Sequence, residues 1–370
     1  MNIILLILSA SLPVLVLYWI FPRYQSLLIS LSGILLLAIH SPISILPLAL
    51  TSILQYILIT KVTNKRSSTI LSIVIIVIVL ASYKIAEAVN VWSIAFVGLS
   101  YYSFKQIHLA IENYKGTLPI FGFSEYTGFL FFAPTFVVGP INKFNEFIKD
   151  YNRLRWNPDL FSYGLERIVY GLVKVSFMAN YLVNTKLNEL IYYLNSSGSL
   201  KAALYTDIFA FVANSYLQFS GFSDVAIGLS ALFGFRIIEN FNYPFLARNI
   251  SDFWNRWHIS LSNWCMNYVF YPLLAKSRNA LISILITMIV LGLWHEISMK
   301  YIVWASFQAG AIFIWNRYKK TTLHAWLNRY IANKYLGIII TLHFVMFSFY
   351  VLKEESVLDY MRAIKSLLIP

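Results

Sequence analysis

The chain has 370 residues, of which 59% are hydrophobic and only 12% are charged, whereas an average soluble domain has about 25% charged residues. This composition excludes a soluble globular protein, because so apolar a surface would not stay in solution. The formal net charge of +13 is attributed to basic cytoplasmic loops of a membrane protein rather than to nucleic-acid binding.

Apolar runs of about 17–25 residues, the length that crosses a bilayer as a helix, recur along the chain. They predict an all-α polytopic membrane protein that forms a single domain over residues 1–370. The first helix is expected to be retained, because no basic segment precedes it. Some helices are expected to be tilted or re-entrant, because they are short. The predicted membrane helices lie near residues 3–20, 26–40, 43–60, 68–83, 91–111, 124–139, 160–183, 203–234, 265–275, 279–295, 300–316 and 335–352.

Basic residues between the predicted helices indicate the orientation of the chain. Residues 61–66 and 143–155 are rich in lysine and arginine, so both loops are predicted to be cytoplasmic and the N-terminus external. Apolar side chains at helical spacing predict an interfacial amphipathic helix within residues 140–159, and the alternative is an ordinary solvated loop. Residues 184–202 are predicted to be the longest external connection.

A polar stretch from Ser220 to Trp264 interrupts the apolar chain. Ionisable groups at membrane depth are costly unless they are paired, so this stretch is a candidate functional site. Pro244 interrupts the preceding helix. Ser251 is predicted to be the N-cap of a new helix that continues to Trp264.

Helical projection of residues 251–264 separates apolar from polar side chains. The apolar face carries Trp254, Trp257, Leu261 and Trp264. The opposite face carries Asp252 and Arg256, four residues apart as an ion pair, together with Asn263. Between the two faces lie Asn255, His258 and Ser262. His258 is therefore predicted to bind the polar end of an amphipathic substrate, and the alternative is an interfacial histidine bonded to a carbonyl group.

His295 follows the run from Ala280 to Trp294, which contains no ionisable residue. Burial there disfavours the imidazolium, so we expect a neutral ring that can take a proton from a hydroxyl group, as acyl transfer from a thioester requires. The alternative is a histidine that is only hydrogen-bonded within a helix bundle. The other histidines have no comparable polar neighbourhood and are predicted to have packing or interfacial roles: His40, His108, His324 and His343.

Other classes of chemistry lack their residues in this sequence. There is no motif of a serine hydrolase, zinc protease, ATPase or dinucleotide-binding enzyme. Cys265 is the only cysteine, so no disulfide framework and no cysteine–histidine metal site is predicted. A packing role is expected for Cys265 rather than a nucleophilic one.

Several segments match, in order, the motifs of a known family. They are residues 131–141, 171–174, 219–228, 239–244, 251–262 and 292–295. Together they resemble the membrane-bound O-acyltransferases, and in particular the bacterial branch of alginate O-acetylation and teichoic acid D-alanylation. The matching motifs extend over about residues 95–310. Residues 1–90 and 311–370 would add N-terminal and C-terminal helices to this core.

The resemblance implies a ring of roughly 10–12 tilted transmembrane and re-entrant helices around a central tunnel. It implies that His295 is the general base and that His258 is a second catalytic histidine at the cytoplasmic approach. We assign substrate-binding roles around the cytoplasmic mouth to Trp294 and to four polar residues, Asn240, Asp252, Asn255 and Arg256. The alternative for each of the four is a helix cap or a structural ion pair. The sequence departs from the usual family pattern at Met266, Asn267 and Glu296.

The expected function is transfer of an acyl group, with acetyl as the expected group, from a cytoplasmic thioester donor to a polysaccharide hydroxyl or to a relay protein. The donor would be acetyl-coenzyme A or an acyl carrier protein, and no bound cofactor is expected. Further expected partners are an extracytoplasmic acyltransferase-like or esterase-like protein and the lipid bilayer, in a bacterial cytoplasmic membrane. The alternatives are a transporter or flippase, for which the sequence lacks paired carboxylates within membrane helices, and a non-catalytic scaffold of a polysaccharide export complex.

Overall fold

The computed structural model describes residues 2–88, 98–330 and 334–368, which form helices and no strand. Two further segments in this part of the chain are π-helical, Val173–Leu187 and Met266–Phe270. Residues 91–97 of the membrane helix predicted at 91–111 lie outside the described residues. The α-helices are α1 (Asn2–Ile20), α2 (Gln25–His40), α3 (Ile45–Lys61), α4 (Lys65–Ala88), α5 (Leu99–Lys115), α6 (Phe123–Leu130), α7 (Phe144–Tyr151), α8 (Pro158–Leu172), α9 (Asn188–Ser196), α10 (Leu200–Leu232), α11 (Ile250–Trp254), α12 (Ile259–Cys265), α13 (Tyr271–Ser277), α14 (Ala280–His295), α15 (Met299–Tyr318), α16 (Thr322–Tyr330), α17 (Lys334–Tyr350) and α18 (Val357–Leu368).

Several helices are apolar enough to lie in a membrane. Among the described residues, three helical stretches have the length and composition to cross it, Pro22–His40, Pro42–Lys61 and Lys65–Ala86. Apolar side chains such as Leu46 and Ile78 point outward from them, 66% and 60% exposed, and such a surface suits contact with lipid. Shorter apolar helices are Ile4–Ile20, Ala280–His295 and Tyr335–Tyr350. The predicted all-α polytopic membrane fold is confirmed, while the central tunnel stays a prediction.

The helices form two compact units, and neither is a continuous stretch of chain. Unit 1 consists of Met1–Leu172 and Gly221–Glu239. Unit 2 consists of Val173–Ser220 and Asn240–Pro370. The long helix α10 therefore contributes its first part to unit 2 and its last part to unit 1.

Glycines allow α8 and α10 to pack closely inside unit 1. A Cβ atom at Gly164 would lie 2.7 Å from the carbonyl oxygen of Gly228, and one at Gly171 would lie 2.5 Å from that of Gly221. Both pairs are spaced seven residues apart, so they lie along one face of each helix. Small residues permit this close approach of helices, which explains why the family-like segment 171–174 begins with glycine.

Unit 1 also contains an ion cluster that links α8 to α10. Arg167 donates hydrogen bonds to the carboxylate of Asp224 and, at 2.9 Å, to Oε2 of Glu239. The side chains of Arg167 and Asp224 are only 16% and 6% exposed. Two carboxylates therefore do meet here, but an arginine lies between them.

The amphipathic helix predicted within residues 140–159 is confirmed as α7. Phe144, Phe147 and Ile148 are buried, whereas Glu146 and Lys149 are exposed. Its cytoplasmic location stays a prediction.

Two predicted boundaries are wrong. The helix predicted over residues 124–139 ends at Leu130, because the following chain bonds elsewhere: Ala133 N donates to Ser32 Oγ at 3.2 Å. The predicted connection 184–202 is helical as far as Ser196. Its polar side chains are satisfied on the helix surface, for example by the Lys186–Glu189 ion pair at 2.8 Å.

Candidate active site

Residues 251–264 were predicted to form one helix, but the structure has two short helices there. The first, α11, begins after Asn249, whose side chain accepts a hydrogen bond from Asp252 N at 2.9 Å. The predicted N-cap, Ser251, instead lies inside the helix. The chain leaves helical geometry after Trp254 and re-enters it at Ile259. At the junction His258 has φ +45°, a left-handed conformation that is uncommon for residues other than glycine.

Asn240 explains the break, because it replaces the hydrogen bonds of a continuous helix. Its carbonyl oxygen accepts from Ile259 N at 2.9 Å, and its Oδ1 accepts from Ser260 N at 3.2 Å and Ser260 Oγ at 2.9 Å. In one continuous helix the amides of Ile259 and Ser260 would bond to carbonyl groups four residues earlier. Asn240 is 0% exposed, so it supports the turn between α11 and α12, residues 255–258, from within unit 2.

His258 is buried, with 3% of its surface exposed. Its Nδ1 lies 3.2 Å from Asn240 Oδ1, and its ring packs edge-on against Phe219 at 4.6 Å between centroids. Nε2 is buried and has no hydrogen-bond partner within the described ranges of the chain. The residue lies outside the apolar helices, and burial lowers the pKa of its imidazole, with a further lowering by charge on His295. The ring is therefore neutral and one nitrogen is open to a ligand.

His295 is the last residue of α14. Its side chain is exposed, in contrast to the buried position expected from the preceding apolar run. The reason is that His295 is at the C-terminal end of α14, with Glu296 as the C-cap residue, so its ring lies beyond the packed face of the helix. It stacks nearly parallel to Tyr301 of α15, with 5.6 Å between centroids and 15° between planes.

Trp294 links the two histidines within unit 2. The centroid of its ring system lies 6.4 Å from the ring of His258 and 4.4 Å from that of His295. Gly292 holds this end of α14 against α15, because a Cβ atom there would lie 2.9 Å from the carbonyl oxygen of Tyr301. The glycine of the segment 292–295 thus has a packing role, and Trp294 and His295 supply the aromatic end of the helix.

The remaining predicted site residues lie on the loop around α11. Asp252 Oδ1 accepts from Arg256 Nε at 2.7 Å, which confirms the predicted ion pair. Arg256 also donates to the carbonyl oxygen of Asn242 at 3.3 Å, and Asn255 is exposed at the C-terminal end of α11. These contacts hold the loop together, and substrate binding by Asp252, Asn255 and Arg256 stays a prediction.

Several residues in this part of unit 2 were not predicted from the sequence as site residues. Gln308 of α15 is 0% exposed, accepts from Trp254 Nε1 at 3.3 Å and donates to Ser348 Oγ at 2.8 Å. Trp304 lies between Trp254 and His295, with centroids 6.0 and 6.5 Å away. The signal that could have revealed Gln308 is a lone amide in an apolar helix.

Buried polar atoms in unit 2 indicate where a polar ligand or water could bind. In the described part of the chain, atoms without a hydrogen-bond partner include Asn214 Oδ1, Ser220 Oγ, His258 Nε2, Ser298 Oγ and Trp304 Nε1. Unsatisfied buried groups are rare in folded proteins and call for a bound molecule or a functional role. No group of three or more metal-ligating side chains occurs among the described residues.

The other histidines have structural contacts. His108 Nε2 accepts from Phe144 N at 3.0 Å, and His343 lies 2.8 Å from the hydroxyl of Tyr205. His324 packs edge-on against Tyr318 at 4.9 Å. A cavity of about 380 Å³ lies elsewhere, in unit 1, beside Tyr163 and Arg236.

Comparison with known proteins gives the family. Residues 27–352 match the membrane-bound O-acyltransferase family. The chain is 34% identical to the probable alginate O-acetylase of Pseudomonas aeruginosa over 57% of its own length and 40% of that protein, so it spans well under two thirds of that relative. It is 31% identical to the teichoic acid D-alanyltransferase of Bacillus subtilis, over 70% of this chain and 68% of that one. It is 27% identical to the peptidoglycan O-acetyltransferase of Helicobacter pylori, over 66% and 46%. The chain therefore belongs to the membrane-bound O-acyltransferase family.

Proposed function

We propose that this protein is an O-acyltransferase of the bacterial cytoplasmic membrane. It transfers an acyl group, with acetyl as the first candidate, from a thioester donor on the cytoplasmic side to a hydroxyl group of a cell-surface or exported polysaccharide, or to a partner protein that relays the group. Family membership supports this proposal, as do relatives named for acyl transfer in alginate, teichoic acid and peptidoglycan.

The observation that carries the proposal is that His258 and His295 both lie next to Trp294, with ring centroids 6.4 and 4.4 Å from the centroid of its ring system. Residues 37 positions apart in the chain are thus brought to one aromatic site. One imidazole is exposed and the other is buried with an open nitrogen. A site of this kind can accept a proton at a position that a hydroxyl group can reach.

The chemistry assigned to His295 is general base catalysis. A ring nitrogen accepts the hydroxyl proton while the oxygen bonds to the thioester carbonyl carbon. The carbon–sulfur bond then breaks, and the departing thiolate takes the proton from the imidazolium, so the histidine returns to its neutral form. His258 orients the thioester end or provides a second proton contact. Asp252, Asn255 and Arg256 brace the substrate approach.

The donor and partners are part of the same proposal. The donor is a co-substrate, acetyl-coenzyme A or an acyl carrier protein, and the enzyme needs no bound cofactor. An extracytoplasmic acyltransferase-like or esterase-like protein receives the group or completes its transfer. If the group is D-alanyl instead of acetyl, the mass added to the purified acceptor glycan will show it.

The test is the replacement His295→Ala in cells that express the protein. Loss of the base should lower surface polysaccharide acylation at least about 100-fold, as expected for general base catalysis, while the amount of protein in the membrane stays normal. Acylation is measured by mass spectrometry of the released glycan. His324→Ala is the matched control, because His324 packs against the rings of Trp315 and Tyr318 and not against those of the candidate site, and it should leave acylation unchanged.

A second measurement separates the enzyme from a transporter or a scaffold. Purified protein in liposomes is given radiolabelled acetyl-coenzyme A, and the release of free thiol is followed. Thiol release that is lost in His295→Ala supports an acyltransferase. Acylation that persists in His295→Ala cells, or the absence of thiol release with every thioester donor tried, would contradict the proposal.

A further inference from the structure

The amide of Asn240 has a fixed orientation. Its Oδ1 lies 3.2 Å from the main-chain N of Ser260 and 2.9 Å from Ser260 Oγ. A main-chain N–H can only donate, so the atom facing it must be the amide oxygen and not the amide nitrogen. Asn240 therefore presents an acceptor to everything that approaches on this side.

That acceptor determines the protonation of His258. The Nδ1 atom lies 3.2 Å from the same Oδ1, and two acceptors cannot form a hydrogen bond with each other, so Nδ1 must carry the hydrogen. In a neutral imidazole the other nitrogen then carries a lone pair. That nitrogen, Nε2, is buried and lacks a hydrogen-bond partner among the residues that the structure describes.

The loop geometry holds the ring in this arrangement. His258 adopts φ +45°, and its neighbour Ile259 donates to the carbonyl oxygen of Asn240 at 2.9 Å. The edge of the ring meets Phe219 at 4.6 Å. Strained backbone that is held by its surroundings is typical of functional sites, and here several contacts converge on a single ring.

We infer that Asn240 is a positioning residue that fixes the Nδ1-protonated tautomer of His258, so that Nε2 serves as a hydrogen-bond or proton acceptor beside Trp294 and His295. This role differs from the substrate contact predicted for Asn240 from the sequence, since the residue is enclosed by protein. The inference rests on the proposed acyltransferase function for its catalytic meaning, but the tautomer itself does not depend on that function.

The consequence is a defined response to pH. Phe219 from α10 and Trp294 from α14 lie beside the His258 ring, Asn240 Oδ1 faces its Nδ1, and His295 from α14 is a titratable group whose charge acts on it. Protonation of Nε2 removes the acceptor. Activity should therefore fall on the acid side as His258 becomes charged.

The first experiment compares pH–activity profiles of Asn240→Asp, Asn240→Leu and the control Ser262→Ala. The aspartate keeps an acceptor for Nδ1–H but stabilises the imidazolium, so the acid limb should move to higher pH by roughly one to three units, with activity restored at high pH. The leucine lacks the acceptor and should lose activity at every pH. The hydroxyl group of Ser262 donates to the carbonyl oxygen of Trp257, and its main-chain N–H, which alanine keeps, donates to that of His258, so the alanine variant should keep the wild-type profile.

The second experiment needs no activity. Nitrogen NMR of the purified protein with isotope-labelled histidine, assigned with His258→Gln, reports which ring nitrogen carries hydrogen. The expected result is hydrogen on Nδ1 in the wild type and loss of this preference in Asn240→Leu. Hydrogen on Nε2 in the wild type, or an Asn240→Asp profile whose acid limb does not move, would overturn the inference. A wild type without acyl transfer but with the expected tautomer would contradict only the proposed function.

Discussion

Arg167 shows how single charges are kept inside unit 1. Asp224 is almost fully buried and Arg167 is its countercharge, with Glu239 as a second partner. Arg167→Ala would remove the countercharge of the buried Asp224 carboxylate, and breaking a buried ion pair in this way typically costs about 3–5 kcal/mol. We expect a marked fall in the unfolding temperature of the purified protein, measured in detergent.

A surface pair provides the control for this prediction. Arg362 and Asp359 form an ion pair whose side chains are 69% and 39% exposed, and such solvent-exposed pairs contribute little to stability. Arg362→Ala should therefore leave the unfolding temperature nearly unchanged. If both variants unfold at the wild-type temperature, the cluster around Arg167 does not stabilise unit 1.

Two contacts of the candidate site show what the spacing of residues in the sequence can and cannot predict. Asp252 and Arg256 are four residues apart, and the predicted ion pair is present because α11 and its following turn keep them close. The contact of Asn240 with His258 joins residues 18 positions apart. The helical periodicity of the sequence does not predict such a contact, because Asn240 lies outside the helices α11 and α12.

Among the elements, the contact between α8 and α10 should be sensitive to side-chain size. A Cβ atom at Gly171 would lie 2.5 Å from a carbonyl oxygen of α10 and 2.7 Å from Val225 Cγ2. Gly171→Leu should force the helices apart and destabilise the fold by about 1–3 kcal/mol or more. Unfolding temperature and the amount of protein in the membrane are the measurements.

Gly310→Ala is the comparison for Gly171→Leu. A Cβ atom at Gly310 would meet no atom within 4 Å, and alanine favours helix over glycine by about 1 kcal/mol. This variant should be as stable as the wild type or more stable. Equal stability of both variants would mean that the helices do not depend on close approach at Gly171.

Helix positions were more predictable than helix ends. Long apolar runs such as α3 and α14 are recognisable in the sequence, because a helix that lies in lipid must be predominantly apolar. The helical extension over residues 184–196 was missed because its residues are polar. Asn188 Nδ2 donates to the carbonyl oxygen of Asn184 at 2.8 Å, so the polar side chains bond along the helix and do not end it.

For the molecule as a whole, the predicted orientation can be tested with introduced cysteines. Cys265 is 3% exposed, so the native thiol should give little background. Thr63→Cys and Asn152→Cys should react with a membrane-impermeant reagent only from the cytoplasmic side, and Ser197→Cys only from outside. All three positions are exposed. Labelling of Thr63→Cys and Ser197→Cys from the same side would contradict the predicted topology.

The interleaving of the two units has a consequence for biogenesis. Unit 1 includes residues 221–239, so it cannot close until more than sixty per cent of the chain has been synthesised. Until then Gly164 and Gly171 of α8 lack the part of α10 that packs against them. A premature stop after residue 172 would thus yield an insertion intermediate, which quality-control proteases should remove, and not a stable half-protein.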